Sequence, residues 1–219
     1  MNNLFAFDYT HLTNELIQNK YYGRSFPWIL DVLKLNQATS VLDIGSGGFL
    51  GESTLKFILN RYSGPITAIE IIHDRVYKLQ KKFTNDNLTV IQSDAFDFDY
   101  SLKYGLIAVD FDSFIIPRFM NELLPKLSMS LLPGGVLIGV TIYDHDLCFN
   151  SISPALSLSY ADMQQDFMMK TYLSKRVTLD SCDKFLVSKG IALKTIGIVD
   201  AQFGAGKLGV GWLILKKIN

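Results

Sequence analysis

Two kinds of hydrophobic segment follow one another along this chain. Short, nearly continuous apolar runs, such as residues 66–72 (ITAIEII) and 136–143 (VLIGVTIY), are typical of β-strands that are covered on both faces of a parallel sheet. Between these runs, apolar residues recur every three or four positions, as they do in amphipathic helices. One such set is Leu55, Ile58, Leu59 and Tyr62. The alternation predicts an α/β domain.

Seven strands are predicted from these runs. They cover residues 40–42, 66–72, 88–91, 104–110, 136–143, 191–199 and 210–218. A glycine-rich turn without a helix joins the last two strands, which implies an antiparallel hairpin. We therefore expect a three-layer, doubly wound and mostly parallel seven-stranded sheet whose last strand is antiparallel.

Local signals place the ends of several helices. Asp74 is expected to cap the helix that follows the second strand. A helix that begins near Pro117 is expected to be interrupted at Pro125, because proline lacks the amide hydrogen that a helix interior needs. Gly190 is expected to end the helix that precedes the sixth strand.

Two segments outside this alternation have separate expected roles. Residues 1–37 are predicted to form a helical cap over the sheet edge, and residues 38–219 the main domain. Residues 144–176 are irregular and rich in Ser and Met. We interpret them as a substrate lid, with core filling as the alternative, because methionine adapts to irregular apolar shapes.

Composition and charge favour some classes of ligand over others. Of 219 residues, 48% are hydrophobic and 19% are charged, which is typical of a globular chain. Lys plus Arg and Asp plus Glu both number 21, so no overall positive field attracts a nucleic acid. A small-molecule substrate is therefore expected rather than a nucleic acid. Composition leaves the oligomeric state open.

The sequence predicts a cytoplasmic protein that does not associate with membranes. Its N-terminus lacks a basic region and soon reaches Asp8, and its longest apolar runs are far shorter than a membrane span. The two cysteines, Cys148 and Cys182, form neither a C-x-x-C pair nor a disulfide framework.

Residues 41–51, VLDIGSGGFLG, contain the main functional motif. They run from a predicted strand through an acidic residue into a glycine-rich turn and the start of a helix. Glycine permits positive φ and close approach of a ligand, and the helix N-terminus directs free N–H groups towards it. Leu50 stands where the dinucleotide fingerprint needs its third glycine, and Asp43 is unfavourable beside a pyrophosphate. A ligand with a positive ammonium group is favoured instead.

This motif resembles the first motif of the class I S-adenosylmethionine-dependent methyltransferases, an acidic residue followed by G-x-G-x-G. Asp43, Gly45 and Gly47 match it, whereas Phe49 stands at the last glycine. Later features are similar to the family in the same order. They are Glu70 near the end of the second strand, Asp94 after the third strand, and residues 131–135 (LLPGG) before the fifth.

The resemblance implies the class I methyltransferase fold and S-adenosylmethionine as the cofactor. Glu70 would accept hydrogen bonds from the two ribose hydroxyls, consistent with ligand binding beyond the carboxyl ends of strands in open α/β sheets. Asp94 would bind the adenine amino group. The expected cofactor-binding residues are Asp43, Gly45, Ser46, Gly47, Glu70, Ile71, Asp94, Ala95 and Asp110.

The candidates for catalysis come from the ends of the fourth and fifth strands. Methyl transfer depends largely on positioning, and a base then removes a proton from the acceptor. Asp110 ends the predicted fourth strand and is expected to touch substrate. Tyr143 ends the predicted fifth strand, and His145 follows it. The ordinary pKa of histidine suits a base at neutral pH. A solvated loop histidine is the alternative for His145.

Two related groups of enzymes share parts of this pattern. Asp110-Phe111-Asp112 is similar to the Asp-x-Asp of the metal-dependent catechol-type O-methyltransferases, but Val140-Thr141 stands where those enzymes have Asp-Asn. A hard cation would lose two oxygen ligands, so no metal is predicted. The aminopropyltransferases, such as spermidine synthase, also carry acids after the fourth strand but usually lack one at the position of Asp43.

We therefore expect a metal-independent methyltransferase that acts on an O or N atom of a small molecule. Three alternatives stay open. They are an aminopropyltransferase that uses decarboxylated S-adenosylmethionine, an NAD-dependent dehydrogenase, and a catalytically silent protein that binds S-adenosylmethionine.

Overall fold

The computed structural model of the protein describes residues 26–27, 29–31, 33, 38–47, 54–112, 118–144, 179–202 and 208–218. Residues 110–112, 140–144, 179–182, 197–202 and 208–211 are described by their backbone alone. Most of the predicted cap, residues 1–25, and nearly all of the predicted lid, residues 145–176, lie outside the described residues.

One seven-stranded sheet forms the centre of the protein, with the strand order β3-β2-β1-β4-β5-β7-β6. The strands are β1 (Val41–Ile44), β2 (Ile66–Glu70), β3 (Leu88–Gln92), β4 (Tyr104–Asp112), β5 (Leu131–Asp144), β6 (Leu193–Gln202) and β7 (Leu208–Lys217). The five strands β1 to β5 run parallel to one another. β7 lies antiparallel between β5 and β6, as the helix-free connection predicted.

Helices cover the sheet on two sides. In the described ranges these are α1 (Thr54–Leu59), α2 (His73–Lys82), α3 (Leu124–Ser130) and α4 (Leu179–Ser188). Residues 26, 27 and 29–31 are also helical, and we refer to the described residues 26, 27, 29–31 and 33 as the N-terminal helical segment. Gly190 has a φ of +65° just after α4, and the Ile191 amide donates to the Leu186 carbonyl at 2.8 Å. This arrangement confirms that Gly190 ends the helix.

The connection from β2 to α2 differs from its prediction. The strand ends at Glu70 rather than at residue 72, and Ile71 and Ile72 are 58% and 45% exposed. The N-cap of α2 is Ile72, without a side-chain cap, so the expectation that Asp74 caps this helix was wrong. Because the connection is so short, Asp74 falls inside the first turn. Its negative charge is still favourable there, near the positive end of the helix dipole.

The helical stretch that contains Pro125 is continuous in the described residues. A π-helical turn, Phe119–Leu123, leads directly into α3, and Pro125 lies within the first positions of α3. Proline cannot donate a hydrogen bond to the preceding turn, and the helix changes type just before it. The predicted interruption is therefore a change of helix type and not a break.

The core occupies both faces of the sheet. Val41, Ala68 and Ala108 belong to one buried cluster, together with residues of α1, α2 and the N-terminal helical segment. Their neighbours along the strands, Leu42 and Ile107, belong to a second cluster with residues of the π-helical turn, α3 and α4. This alternation follows from the two-residue period of a strand, and it confirms the three-layer prediction.

The N-terminal helical segment is part of the first cluster. Phe26, Ile29 and Leu30 are fully buried, and the Phe26 ring lies 4.7 Å from the ring of Trp212 on β7. The segment therefore packs against the sheet before the chain enters β1. None of the helices in the described ranges has the length and apolar character that crossing a bilayer requires.

The contact between Phe26 and Trp212 predicts a stability effect. Phe26→Ala should lower the free energy of unfolding by about 3–5 kcal/mol, because it removes a fully buried ring from both the segment and the sheet. Urea denaturation followed by tryptophan fluorescence measures this change. Tyr77→Ala, which alters a ring that is 52% exposed, is the control and should change stability little. A loss below about 1 kcal/mol for Phe26→Ala would show that the segment does not pack as described.

Candidate functional site

The register of the parallel strands brings the predicted site residues to one edge of the sheet. Ile44 of β1 pairs with Ile69 of β2 and Val109 of β4, and Glu70 of β2 pairs with Gln92 of β3. Ligands of open α/β sheets bind at this carboxyl edge. The predicted cofactor-binding residues on these four strands and their connections therefore share one edge.

The first turn of the glycine loop is tied to β2. Gly45 has a φ of +79°, a conformation that favours glycine. The amides of Gly45 and Ser46 both donate to the Ile69 carbonyl, at 2.8 and 3.2 Å. The loop therefore turns from β1 across the end of β2. Residues 48–53, including Phe49, lie outside the described residues.

Asp43 is fully buried between the glycine loop and α1. The Thr54 hydroxyl donates to its Oδ1 at 2.8 Å, and the Ser46 hydroxyl donates to its main-chain oxygen at 3.0 Å. Oδ2 has no hydrogen-bond partner among the described residues. A buried carboxylate oxygen in this state is unfavourable, so the site can gain free energy from a donor or a positive charge nearby.

The environment of Asp43 alters its ionisation. Burial raises the pKa of Asp43 from 3.8 to about 6, although the hydroxyls of Ser46 and Thr54 oppose this change. The nearby Glu70 carboxylate raises this pKa further, because two like charges disfavour each other's ionisation. Asp43 and Glu70 are thus electrostatically coupled across the ends of adjacent strands.

Glu70 lies at the end of β2, as predicted, and is only 3% exposed. Its Oε2 accepts a hydrogen bond from the Gly47 amide and its Oε1 accepts one from the Ile72 amide, both at 2.9 Å. Both oxygens of the proposed ribose acid therefore already have backbone partners. Each oxygen keeps a second lone pair with which it can accept a further hydrogen bond.

Arg75 of α2 lies against the same contact. Its Nη1 is 4.0 Å from Oε2 of Glu70. A Cβ placed on Gly47 would lie 2.5 Å from Cδ of Arg75 and 2.4 Å from Oε2 of Glu70. Position 47 therefore has no room for a side chain while these groups hold their present positions.

The end of β3 supplies the other predicted cofactor residues. Oδ1 of Asp94 accepts a hydrogen bond from the Phe96 amide at 2.8 Å, which fixes a turn. The carbonyl of Ala95 accepts a hydrogen bond from the Tyr100 hydroxyl at 2.6 Å. The guanidinium of Arg118 lies 4.0 Å above the Phe96 ring. The Ser93 amide donates to the Glu70 carbonyl at 3.1 Å, so the hydrogen-bonded turn that contains Asp94 and Ala95 begins next to the end of β2.

The predicted catalytic residues are described less completely. Asp110 and Asp112 lie inside β4, and Tyr143 lies near the end of β5, but only their backbones are described. His145 lies outside the described residues. The part of the chain that the structure describes contains no group of three or more His, Cys, Asp or Glu that could hold a metal ion. The absence of a metal requirement stays a prediction.

Two contributors to the site were not predicted from sequence. Thr54 supplies the hydrogen bond to Asp43, and Arg75 packs on Gly47 and Glu70. Thr54 is the first residue of α1, eleven positions after its partner, and nothing in the local sequence links the two. Arg75 is one of several basic residues on α2, so its contact with Glu70 depends on how the helix packs.

No family model and no curated protein matches the chain. Among solved structures, a methyltransferase of Clostridium acetobutylicum that depends on S-adenosylmethionine superposes with a TM-score of 0.58 at 14% identity, covering 96% of this chain and 98% of that one. Two further structures show how widely the substrates of such neighbours differ.

The first is 1,6-didemethyltoxoflavin-N1-methyltransferase of Burkholderia thailandensis, with bound 1,6-didemethyltoxoflavin and S-adenosylhomocysteine. Its TM-score is 0.59 at 11% identity, with coverage of 95% of this chain and 84% of that one. The second is the tRNA m1G37 methyltransferase of M. jannaschii, with a TM-score of 0.55 at 16% identity and coverage of 89% and 48%. At these identities the likeness shows the fold.

The raised pKa of Asp43 predicts a pH-dependent stability difference. The folded protein binds this proton more tightly than the unfolded chain does, so stability falls as pH rises from about 4 to 6. Asp43→Asn lacks this ionisation and therefore does not lose this stability. The free energy of unfolding of Asp43→Asn minus that of the native protein should be about 2–3 kcal/mol larger at pH 7.5 than at pH 4. Urea denaturation at both pH values gives this difference.

Asp86→Asn, at an exposed position, serves as the matched control and should show no such pH dependence. An effect of Asp43→Asn that is the same at both pH values would contradict the assignment of this ionisation to Asp43.

Proposed function

Since the chain has the class I methyltransferase fold, we propose that it is a metal-independent methyltransferase that transfers a methyl group from S-adenosylmethionine to an O or N atom of a small molecule. One observation supports this proposal above the others. A buried acid at the end of β2, Glu70, meets the glycine loop that follows the buried acid of β1, Asp43. Glu70 would accept hydrogen bonds from the hydroxyls of a nucleoside, and Asp43 would favour a positive group on the same ligand.

The residues at the sheet edge fit such a ligand. Glu70 is proposed to accept hydrogen bonds from the ribose hydroxyls, since its two oxygens retain acceptor capacity. Ile71 is 58% exposed beside it and offers an apolar surface for a flat base. Asp94 and Ala95, in the turn after β3, are proposed to bind the adenine amino group.

Asp43 is proposed to act through its charge. It is fully buried, with one oxygen that has no partner among the described residues, and its pKa is raised to about 6. A positive ammonium group above Gly45 and Ser46 would stabilise the ionised form and offset part of the burial energy. The pyrophosphate of NAD in the same place would add two further negative charges beside Asp43 and Glu70. This electrostatic difference favours the methyl donor over NAD.

The acceptor is proposed to bind at the ends of β4 and β5. S-adenosylmethionine supplies an electrophilic methyl group on a positively charged sulfur. Asp110 follows Val109, which pairs with Ile44 just before the glycine loop, so its backbone lies next to the proposed cofactor site. Asp110 is proposed to orient the acceptor, and Tyr143 or His145 to remove its proton. Positioning of this kind contributes about 7–11 kcal/mol in well-oriented reactions.

The small-molecule acceptor is a proposal that rests on charge. Equal numbers of acidic and basic residues, 21 of each, offer no overall attraction to a polyanion. The solved neighbours include enzymes of both kinds, since one is a tRNA methyltransferase and another methylates 1,6-didemethyltoxoflavin. Residues 144–176 are proposed to cover the acceptor. Residues 1–37 are proposed to form a helical cap. The protein is proposed to act in the cytoplasm.

A ligand panel tests the cofactor assignment. S-adenosylhomocysteine, S-adenosylmethionine, decarboxylated S-adenosylmethionine and NAD should each be added in thermal unfolding experiments. Ligands that bind only the native state raise the melting temperature, and S-adenosylhomocysteine should raise it most. Glu70→Ala should abolish this increase, because the ribose loses its acceptor oxygens.

Glu122→Ala removes an exposed carboxylate that pairs with Arg118, and it should keep the full response. A larger shift with NAD would assign the site to a dehydrogenase. A larger shift with the decarboxylated compound would favour the aminopropyltransferase. An unchanged response in Glu70→Ala would remove Glu70 from the site.

A further inference from the structure

The turn after β3, residues 94–98, is fixed by local hydrogen bonds, and we call it the Asp94 turn. The Phe96 amide donates to Oδ1 of Asp94 at 2.8 Å. The amides of Asp97 and Phe98 both donate to the Asp94 carbonyl at 3.1 Å. The first of these hydrogen bonds orients the carboxylate and uses only Oδ1, so Oδ2 can accept a donor from a ligand.

A side chain from a distant element also binds the Asp94 turn. Lys126 of α3 donates from Nζ to the Phe96 carbonyl at 2.7 Å, across 30 positions of sequence. Phe96 therefore joins the two residues, because its amide binds the Asp94 carboxylate and its carbonyl binds the Lys126 ammonium group. Phe96 also packs against the buried cluster that contains residues of the π-helical turn and α3. The orientation of Asp94 thus depends on α3 through Phe96.

Burial makes Lys126 the stronger of two cationic contacts with Phe96. The guanidinium of Arg118 lies 4.0 Å above the ring, but its side chain is 50% exposed and pairs with Glu122. Lys126 is half-buried and lies between two fully buried leucines of α3. A carbonyl that loses a donor in such a place becomes unsatisfied. Without the Lys126 ammonium group, the peptide group of the Phe96 carbonyl should therefore rotate towards another donor.

We propose that Lys126 is a positioning residue for recognition of the adenine base. Its ammonium group holds Phe96 in place, and Phe96 holds the Asp94 carboxylate where it selects the adenine amino group. This inference rests on the proposed function, in which Asp94 binds that amino group. Because Lys126 acts through Phe96, its removal should weaken selection of the base more than recognition of the ribose by Glu70.

Two nucleosides that differ in the base measure this selection. S-inosylhomocysteine carries a carbonyl oxygen where S-adenosylhomocysteine has the amino group of adenine. That oxygen cannot donate to Asp94, so the native protein should prefer S-adenosylhomocysteine by about tenfold or more. The ratio of the two dissociation constants, measured by isothermal titration calorimetry, gives the selectivity. A general loss of stability weakens the binding of both ligands equally and leaves this ratio unchanged.

Lys126→Met removes the ammonium group but keeps an unbranched side chain. It should lower the selectivity about two- to tenfold, mainly through weaker binding of S-adenosylhomocysteine. Lys103→Met is the matched control, because the Lys103 ammonium group also donates to a main-chain carbonyl of α3, that of Met129, at 2.8 Å. Met129 lies at the C-terminal end of α3. Lys103→Met should therefore leave the selectivity unchanged.

A double-mutant cycle tests whether Lys126 acts through Asp94. Asp94→Ala removes the carboxylate and should bring the selectivity close to one. When Lys126→Met is added to Asp94→Ala, the ratio should not change further, because the group that Lys126 positions is gone. A further change of the same size as in the single variant would show that Lys126 acts independently of Asp94.

The outcomes separate this inference from the proposed function. Lower selectivity in Lys126→Met, with no further change in the double variant, supports the inference. Unchanged selectivity in Lys126→Met, an equal loss in Lys103→Met, or no preference in the native protein overturns it, and so does an effect that persists without Asp94. In these cases S-adenosylhomocysteine still binds and the proposed cofactor stands. If the native protein does not bind S-adenosylhomocysteine, the proposed function and the inference fail together.

Discussion

Two carboxylates that are buried side by side dominate the carboxyl edge of this sheet. β1 and β2 are adjacent and parallel, so the acid near the end of one lies close to the acid at the end of the other. Burial of an ionised carboxylate is unfavourable unless hydrogen bonds or opposite charges compensate it. The chain compensates Glu70 with two backbone amides and Arg75. Asp43 has the hydroxyls of Thr54 and Ser46 nearby, but its Oδ2 has no hydrogen-bond partner among the described residues and its pKa is raised.

This unequal compensation connects the fold with the proposed chemistry. Asp43 gains from a positive charge above the glycine loop, and each Glu70 oxygen can accept a further hydrogen bond from a ligand hydroxyl. A nucleoside that carries a sulfonium and an ammonium group supplies both. The same negative charges disfavour a pyrophosphate. The residues of the site, and not the fold alone, therefore determine which ligand binds. The incompletely compensated burial of Asp43 thus lowers the stability of the fold but favours a positively charged ligand. Such a conflict between stability and binding is common at functional sites.

The architecture could be predicted because its signals are local. Continuous apolar runs mark strands that are buried on both faces, and the absence of a helix between the last two runs implies the antiparallel hairpin. The errors lie at the ends of elements. Glu70 ends β2 because its carboxylate accepts the Ile72 amide and turns the chain into α2, although the apolar sequence continues for two more residues. Asp74 consequently falls inside the helix.

Sequence by itself determined which residues stand at the carboxyl edge, since strand ends and glycine turns are encoded by near neighbours along the chain. It also indicated a charged ligand through Asp43. Only tertiary structure decided what each side chain touches. Thr54 reaches Asp43 because α1 packs on β1, and Arg75 reaches Gly47 and Glu70 because α2 packs beside the glycine loop. Such contacts join residues that are distant in sequence, and their geometry depends on the packing of whole elements.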